Sequence, residues 1–494
     1  MATDFGYDLI VIGGGPAGVT AALRARELGA RAALVERGRL GGTCTNDGCA
    51  PTRVLAKAAR LVRDAEQLEA YGLTPHAPAV DLPRLLARTQ QVVYRLQEKK
   101  QLIDHLAGTG VVVFDNAGPA RFIDAHTLAL PSGRTLTAEK FILAAGGHAR
   151  RLPFPGAELA LTHSDVWTLT RLPRSLAVVG AAATGCQLAS IFAAFGTEVH
   201  LLEVLPRLVP AEDEAVSAAL QAALQARGLN VITGLAGMDR IEKTAAGLAL
   251  HYRRAAPSNG SAAERVLAVE AVVLSVGWVG NLEALNLEAA GVASQRGYVS
   301  VDDTLRTSAA NIWAAGDITG RMMLVQSAGH DARVAVENAL LGSERKYRHT
   351  VVPHGGFTDP EYGSVGLTEA QARAQEPACA VALVPFGDID RAVIDDRAEG
   401  FCKLIVSRQS HAILGAHVVG EQAVEIVQIA AAGMAAGMKV EQLAELELAY
   451  PTFTAILGLA ARQIVRGLGL TPVAEEWRTL KRLAAAEWER GDGS

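Results

Sequence analysis

Short apolar runs alternate along the chain with longer segments of helical character, and the N-terminal region shows this alternation first. Tyr7 to Ile12 is an apolar run of strand length, and a segment rich in Ala, Leu and Arg follows as far as Leu28. Ala32 to Val35 is a second short apolar run, and it ends at Glu36. Continuous apolar runs joined by a helix predict two buried parallel strands, the repeating unit of an α/β fold.

The connection between the first strand and the helix is a glycine loop of the form GxGxxG. Gly13 permits the tight turn, Gly15 lets a pyrophosphate approach the backbone, and Gly18 lets helix and strand pack closely. The N-terminus of the helix favours phosphate charge, and Glu36 can accept hydrogen bonds from ribose hydroxyls. This stretch predicts a dinucleotide site.

The same unit returns in the middle of the chain. The run Ser175 to Val179 leads into Gly180 and Gly185, then a helix, and a further strand ends at Glu203. From the first glycine to the acidic residue the spacing is 23 positions in both units. The repeat predicts a second dinucleotide site, although Ala182 replaces the middle glycine and its methyl group crowds a pyrophosphate. An α/β unit without a ligand is the alternative.

Composition and charge narrow the class of protein. A chain of 494 residues suggests three or four domains. A formal net charge of -5 and a pI near 6.2 argue against nucleic-acid or anionic-membrane partners. The N-terminus lacks a basic segment before its apolar run, and no charge-free apolar run reaches about 18 residues, so we expect a cytoplasmic protein with no membrane span.

Two of the five cysteines, Cys44 and Cys49, lie in a glycine-rich stretch with four residues between them. In a regular helix their Cα atoms would be about 8–9 Å apart, whereas a disulfide needs about 4.4–6.8 Å. Gly48 and the pair Gly41-Gly42 would let the backbone tighten. Inert buried thiols, a redox pair and a metal-binding pair are the alternatives, and metal is disfavoured because no His or second Cys pair lies nearby at ligand spacing.

These features resemble the flavoprotein disulfide reductases, which include dihydrolipoamide dehydrogenase, glutathione reductase and mercuric reductase. The resemblance extends from Tyr7 to about Leu470. Its motifs are Gly41–Cys44 with Gly48–Cys49, Ile142–Gly146, Ala314–Asp317, Gly363–Glu369, Gly400–Val406 and Ile413–His417.

The resemblance implies an α/β protein with two Rossmann-like dinucleotide-binding domains and a C-terminal α+β dimerisation domain. The implied division is an FAD domain at 1–150 and 281–350, a nicotinamide domain at 151–280, a dimerisation domain at 351–470 and a helical tail at 471–494. We further expect a strand at Asn311–Ala315, a helix beginning near Met323, an apolar interface helix at Val418–Met434 and a surface turn at 256–261. The implied cofactors are FAD and NAD, with NADH favoured over NADPH, and the implied assembly is a homodimer.

The resemblance also implies roles for individual residues. Cys49 would face the flavin and Cys44 would exchange with substrate, with Arg53 lowering the pKa of Cys44. Asp317, at a strand end, suits a flavin hydroxyl group or a phosphate-bound water. Further cofactor contacts are expected from Gly42, Thr43, Ala145, Gly146 and Gly277. No residue is assigned to a metal.

Several positions depart from the family pattern. Arg53 and Gln187 stand where an ion pair of lysine and glutamate is usual, which leaves at most a hydrogen bond between them. Tyr450 and Ala455 replace a catalytic histidine and its supporting glutamate. The chain also lacks the C-terminal vicinal cysteines of mercuric reductase, so the mercury interpretation is incomplete.

A tyrosine titrates near 10, so it is a poor base for a thiol at neutral pH. We therefore predict a poor dihydrolipoamide dehydrogenase that reduces a small disulfide or a thiol-bound metal instead. A diaphorase or oxidase acting on quinone or oxygen, a mercuric-reductase-like metal reductase, and a non-catalytic FAD-binding subunit are the alternatives, and the intact cysteine pair weighs against the last.

Overall fold

The computed structural model describes residues 5–76, 78–254 and 263–470. The surface turn predicted at 256–261 and the helical tail predicted at 471–494 lie outside the described residues. Within the described ranges, no helix is both long enough and apolar enough to cross a membrane.

The helices and strands follow one another along the chain as listed here by type. The α-helices are α1 Pro16–Glu27, α2 Gly42–Asn46, α3 Cys49–Glu66, α4 Leu82–Lys100, α5 Leu102–Gly108, α6 Ala183–Ala194, α7 Glu214–Ala226, α8 Val325–Leu341, α9 Glu369–Gln375, α10 Asp390–Ile394, α11 Ala423–Ala435, α12 Val440–Ala444 and α13 Ala455–Gly467. The strands are β1 Tyr7–Ile12, β2 Ala32–Val35, β3 Val112–Phe114, β4 Arg121–Asp124, β5 Thr127–Ala129, β6 Thr135–Leu143, β7 Gly147–Ala149, β8 Ser175–Val179, β9 Glu198–Leu202, β10 Asn230–Ile232, β11 Leu235–Thr244, β12 Gly247–Arg254, β13 Ala263–Val269, β14 Ala271–Leu274, β15 Trp278–Gly280, β16 Ser294–Gln295, β17 Tyr298–Val299, β18 Ile312–Ala314, β19 His354–Gly356, β20 Glu361–Gly366, β21 Ala380–Pro385, β22 Phe401–Val406 and β23 Ile413–Gly420.

The first sheet brings β1, which precedes the first glycine loop, together with β18 from much later in the chain. Its parallel part runs β3-β2-β1-β6-β18, and β5 and β4 extend it in antiparallel fashion. Leu143 of β6 pairs with Ile12 and with Ala314, so three strands end at the same edge. Ligands of open α/β sheets bind at this carboxyl edge.

Successive side chains of β1 are buried on opposite faces of the sheet. Leu9 and Val11 pack in the core cluster with α1 and α8, whereas Ile10 and Ile12 pack in a second cluster on the opposite face. Successive strand side chains point to opposite faces, so a strand buried on both sides must be apolar throughout.

The second sheet repeats this arrangement and carries the second glycine loop. Its parallel order is β10-β9-β8-β14, and an antiparallel sheet of β11, β12 and β13 accompanies it. Val179 pairs with Leu202 and Leu274 at the carboxyl edge. Gly180 and Glu203 therefore leave the sheet side by side.

The C-terminal region is an antiparallel sheet, β19-β20-β23-β22-β21, packed with α11 and α13. The predicted helix at Val418–Met434 is wrong at its start, because Val418 and Val419 pair with Cys402 and Phe401 as the end of β23. Gly420, with φ of +142°, then breaks the strand before α11 begins. The predicted strand at 311–315 and the helix near 323 form with bounds one or two residues shorter.

Candidate active site

The first glycine loop has the close contacts that its sequence predicts. Gly13 has φ of +110°, and a Cβ atom there would lie 2.2 Å from the carbonyl oxygen of Ala144. A Cβ atom on Gly18 would lie 1.7 Å from the carbonyl oxygen of Gly13. Glu36 Oε2 accepts a hydrogen bond of 2.6 Å from Gly14 N–H, which fixes the carboxylate at the loop. Side chains are excluded here, so the backbone remains accessible to a pyrophosphate.

The cysteine segment packs directly against this loop. Gly41 N–H donates to the carbonyl oxygen of Gly14 at 2.8 Å. Gly42 has φ of +60°, and a Cβ atom on it would lie 2.7 Å from Gly15 Cα. The structure therefore brings Gly15, Gly42 and the cysteines that follow into one site.

A break between two helices gives the cysteines their spacing. Cys44 lies in α2 and Cys49 is the first residue of α3, so one helix does not carry both. The carbonyl oxygen of Thr43 accepts hydrogen bonds from Asp47 N–H at 3.1 Å and from Gly48 N–H at 2.7 Å. This tight turn replaces a regular helical turn and brings the two thiols within hydrogen-bonding reach of each other.

The two thiols differ in acidity. A hydrogen bond from Cys49 lowers the pKa of Cys44 to about 7; burial opposes this, and the charge of Lys100 reinforces it. The same hydrogen bond raises the pKa of Cys49, although Cys49 itself is exposed. Cys44 is thus the thiol that ionises near neutral pH, which is the property of an attacking nucleophile.

Arg53 has a different role from the one that the sequence predicts. It is not among the groups that lower the pKa of Cys44, and Lys100 supplies the positive charge instead. Lys100 ends α4, and its Nζ donates to Thr45 Oγ1 at 3.0 Å. Sequence reasoning missed Lys100 because it lies 55 positions from its partner and belongs to no motif.

The expected hydrogen bond between Arg53 and Gln187 is also replaced. Arg53 Nη1 lies 2.8 Å from Glu361 Oε1, and its guanidinium stacks over Phe357 at 4.1 Å. Gln187 donates to the carbonyl oxygen of Ala183 and accepts from Phe357 N–H at 3.1 Å. A guanidinium binds a carboxylate more strongly than it binds a neutral amide, so Arg53 pairs with Glu361 and not with Gln187. No local sequence pattern predicts this pair.

The segment after β18, the last parallel strand of the first sheet along the chain, contributes Asp317 to this site. Asp317 follows β18, and among the described residues its carboxylate has no hydrogen-bond partner, while burial raises its pKa. Asn281 Nδ2 donates to the carbonyl oxygen of Ala145 at 2.7 Å, which holds the segment that leads to Gly146, where φ is +68°. A half-buried acid shortly after β18, at the carboxyl edge of the sheet, fits the hydroxyl or phosphate groups of a bound FAD.

The second glycine loop matches the first in backbone conformation. Ala182 has φ, ψ of -77°, -173°, and Gly15 has -76°, -173°. The alanine therefore carries no backbone strain, and its exposed methyl group faces outward from the loop. Gly180 has φ of +97°, and a Cβ atom on Gly185 would lie 1.8 Å from its carbonyl oxygen.

The acid of this second site is held by the loop itself. Glu203 Oε2 accepts from Ala181 N–H at 2.7 Å and Oε1 from Leu205 N–H at 2.9 Å. Gly277, also predicted to contact a cofactor, has φ of +99° and no atom within 4 Å of an added Cβ. The residues present fit a dinucleotide here as well.

Tyr450 lies apart from these loops on the C-terminal region. Its ring is 54% exposed, and its hydroxyl donates to Asp390 Oδ2 at 2.5 Å. Ala455, in the position expected for a supporting acid, begins α13. A tyrosine that donates to a carboxylate keeps its proton, as expected for a hydrogen-bond donor rather than a base.

The three remaining cysteines are buried in apolar cores. Burial raises the pKa of Cys186 and of Cys402 to about 12, and Cys379 is 5% exposed. Thiols of this kind are inert at neutral pH. Among the cysteines, Cys44 and Cys49 are therefore the candidates for redox chemistry.

Comparison with known proteins agrees with this arrangement. A family model described as pyridine nucleotide-disulphide oxidoreductase matches residues 7–332, and the model of the corresponding dimerisation domain matches residues 352–461. The chain belongs to the pyridine nucleotide-disulphide oxidoreductase family. The expected family and fold class are confirmed, and the chain is a flavoprotein disulfide oxidoreductase that uses FAD and NAD(P)H.

Its relatives include enzymes of more than one activity. The chain is 32% identical over 461 residues to the mercuric reductase of Staphylococcus aureus, covering 93% of this chain and 82% of that protein. It is 35% identical over 469 residues to the dihydrolipoyl dehydrogenase of Thermus scotoductus, covering 93% and 97%. The HOCl-induced flavoprotein disulfide reductase RclA from Escherichia coli, also solved as a Cu(II) complex, matches with a TM-score of 0.81 and 29% identity, covering 93% of this chain and 100% of that one.

Proposed function

We propose that this enzyme takes electrons from NADH through FAD to the Cys44–Cys49 disulfide, and passes them to a small disulfide or to a thiolate-bound metal ion. The observation that carries the proposal is the pairing of Cys44 with Cys49 beside the first glycine loop, where the hydrogen bond from Cys49 and the charge of Lys100 lower the pKa of Cys44 to about 7. A thiolate of this kind attacks disulfides and binds soft metal ions.

The protein's own residues account for the exchange steps. Bound FAD would supply the two electrons that reduce the Cys44–Cys49 disulfide to two thiols. The Cys44 thiolate attacks one sulfur of the acceptor disulfide and releases the other half as a thiol. Cys49 then attacks Cys44, releases the second thiol and restores the disulfide. One NADH and one proton are consumed for each acceptor disulfide, and two acceptor thiols form.

The region around Tyr450 argues against dihydrolipoamide as the main substrate. Oxidation of a dithiol needs a base that removes the thiol proton, whereas the Tyr450 hydroxyl donates a hydrogen bond to Asp390. Reduction of a disulfide needs a proton donor for the departing thiolate, which a tyrosine hydroxyl can be. We therefore propose that electrons flow from NADH towards the acceptor.

The metal arm of the proposal is supported by two similarities. The chain is similar to mercuric reductases, and it is similar to RclA, which has been solved as a Cu(II) complex. Paired thiolates are suited to such soft ions. In this arm the thiolates of Cys44 and Cys49 bind the ion and lose two electrons as their disulfide reforms. The two electrons reduce one ion by two units of charge, or two ions by one unit each.

An anaerobic acceptor screen tests the proposal. The NADH-reduced holoenzyme is mixed with glutathione disulfide, lipoamide, Hg(II)– and Cu(II)–thiol complexes, and the quinone menadione, and NADH oxidation is followed. We expect turnover of a disulfide or a metal complex, and its loss by at least about 10²-fold in Cys44→Ser.

Cys379→Ala is the matched control, because it removes a buried thiol that lies outside the site. It should turn over the same acceptor at the wild-type rate. If Cys44→Ser reduces every accepted substrate as fast as the wild type does, the enzyme is a flavin diaphorase and the proposal is wrong.

A further inference from the structure

Three potential metal ligands meet on a helix outside the cysteine site. His330 and Asp331 are adjacent in the second turn of α8, and His349 follows the helix. One ligand atom from each side chain lies within 4.8 Å of the other two. Asp331 is 1% exposed, so its carboxylate is directed into the protein.

The distances suit a small metal ion. His349 Nε2 lies 3.0 Å from Asp331 Oδ1, and His330 Nδ1 lies 3.6 Å from the same oxygen. Tetrahedral bonds of about 2.0–2.1 Å place ligand atoms roughly 3.3 Å apart, between these two values. The two imidazole rings are tilted by 58° with centroids 5.3 Å apart, so they do not stack face to face.

The same atoms lack hydrogen bonds. Among the described residues, His330 Nδ1, His349 Nε2 and both carboxylate oxygens of Asp331 are buried with no hydrogen-bond partner. Buried polar atoms in native proteins are nearly always paired, and an unpaired cluster that converges on one point calls for an explanation. A bound cation would satisfy all three side chains at once.

A simple ion pair is the alternative explanation, and the geometry fits it less well. An imidazolium paired with Asp331 would direct its N–H at the carboxylate, yet neither histidine meets hydrogen-bond geometry with it. An ion pair with His349, whose Nε2 is 3.0 Å from Asp331 Oδ1, leaves His330 at 3.6 Å, beyond hydrogen-bond distance of the same oxygen. Tyr347 packs edge-on against His349, with ring centroids 5.6 Å apart, and helps to fix that ring.

We propose that His330, Asp331 and His349 bind one divalent first-row transition-metal ion of the Zn²⁺ class. Two imidazoles and one carboxylate are a donor set that prefers such ions to Mg²⁺ or Ca²⁺. Three protein ligands leave a fourth position, and His349 lines a cavity of about 550 Å³. This site is independent of the acceptor proposed above for the cysteines.

Charged side chains surround the cavity that His349 lines. The other charged side chains that line it are three cations and one acid: Arg321, Lys346, Arg348 and Asp303. A predominantly cationic rim favours a small anion, or a water that has lost a proton, as the fourth ligand. It also lowers the affinity for the free cation, so binding is expected to be weaker than at a fully anionic site.

Zn²⁺ binding to the holoenzyme tests the proposal. The Cys44→Ser/Cys49→Ser background is used so that thiolates cannot supply a competing site. After chelator treatment and desalting, Zn²⁺ is titrated by calorimetry, and retained zinc is measured by mass spectrometry. We expect one Zn²⁺ per chain that excess Mg²⁺ does not displace, and a higher melting temperature in the presence of Zn²⁺.

His330→Gln and His349→Gln, each in that background, should weaken the binding by at least about 10²-fold, more than loss of an outer-shell partner costs. His105→Gln, on an exposed face of α5, is the matched control and should bind as the background does. FAD content checks that each variant is folded. Equal binding by all variants, or no binding by a background protein that retains its FAD, overturns the proposal.

Discussion

At the scale of single residues, the acidity of Cys44 depends on three neighbouring side chains. Cys49 donates the hydrogen bond that contributes most, and Lys100 adds a positive charge from the end of α4. Asp317 opposes them, since a nearby carboxylate disfavours a thiolate. The reactivity of the pair is therefore set by side chains from three separate segments.

Replacing Lys100 should make Cys44 less reactive. In Lys100→Met the pKa of Cys44 rises above about 7, because a positive charge that favours the thiolate is lost. A rise of one unit would lower the thiolate fraction at pH 7 about fivefold. The measurement is the rate of iodoacetamide alkylation of Cys44 in the reduced enzyme against pH, followed by peptide mass spectrometry. Lys99→Met is the control, and an unchanged pH profile in Lys100→Met would contradict this assignment.

Tyr450 and Ala455 should decide whether dihydrolipoamide is a substrate. The wild type should oxidise it at least about 10²-fold more slowly than an ordinary dihydrolipoamide dehydrogenase, because no base accepts the thiol proton. Tyr450→His with Ala455→Glu should raise the rate more than the two single changes added together, because a base and its orienting acid act as a unit. An ordinary dehydrogenase rate in the wild type would show that another residue supplies the base.

Glu203 should make NADH the preferred nicotinamide. Glu203 directly follows β9, and its carboxylate lies at the second glycine loop. There it can accept hydrogen bonds from ribose hydroxyls and repel a 2′-phosphate. Arg207, the first cation after it, donates to the carbonyl oxygens of Pro210 and Glu212 and so is already engaged. Stopped-flow flavin reduction should be faster with NADH, and Glu203→Gln should narrow the difference. Faster reduction by NADPH in the wild type would overturn this preference.

At the scale of elements, the sequence predicts the strands and helices whose bounds depend on residues close to them in the chain. The strands Tyr7–Ile12 and Ser175–Val179 form with the predicted bounds, because a glycine loop must follow each of them. It did not predict the Arg53–Glu361 pair, because 308 positions separate the two residues and only the packed fold brings them together. The start of α11 at Ala423 was not predicted for the same reason, because Val418 and Val419 pair with a strand that lies earlier in the chain.

Gly42 should be essential for the contact between the glycine loop and the cysteine segment. In Gly42→Ala the added Cβ would lie 2.7 Å from Gly15 Cα. Gly15 Cα is a backbone atom, so it cannot move aside without a change in the first glycine loop. We expect FAD retention to fall at least about tenfold, measured as flavin absorbance per chain after dialysis.

Gly29→Ala is the control for this change. Gly29 also has positive φ, +86°, but an added Cβ meets nothing within 4 Å. It should cost about 1–2 kcal/mol of stability and leave FAD content unchanged. Equal FAD loss in both variants would mean that backbone strain, and not the loop contact, is responsible.

At the scale of the whole molecule, the C-terminal region carries exposed apolar side chains around Tyr450. Val393 and Ile394 of α10 are 64% and 56% exposed, and Tyr71, which donates to the carbonyl oxygen of Ile394, is 53% exposed. Tyr450 binds Asp390 at the start of the same helix. Neighbouring exposed apolar side chains are typical of interaction sites, and the matched dimerisation domain indicates a second copy of the chain as the partner.

A hybrid dimer should show whether the active site is shared between two chains. Cys44→Ser and Tyr450→Ala are co-expressed with different tags, and the hybrid is isolated by two affinity steps. If Tyr450 acts on the cysteines of the partner subunit, one of the two sites in the hybrid has both wild-type groups, so the rate should be about half that of the wild type. Each homodimer should be at least about tenfold slower than the wild type with the acceptor found in the screen. If Tyr450 acts within its own chain, both sites of the hybrid are defective. A hybrid no faster than the mean of the two homodimers would therefore contradict a shared site, and an active monomer in light scattering would contradict the dimer itself.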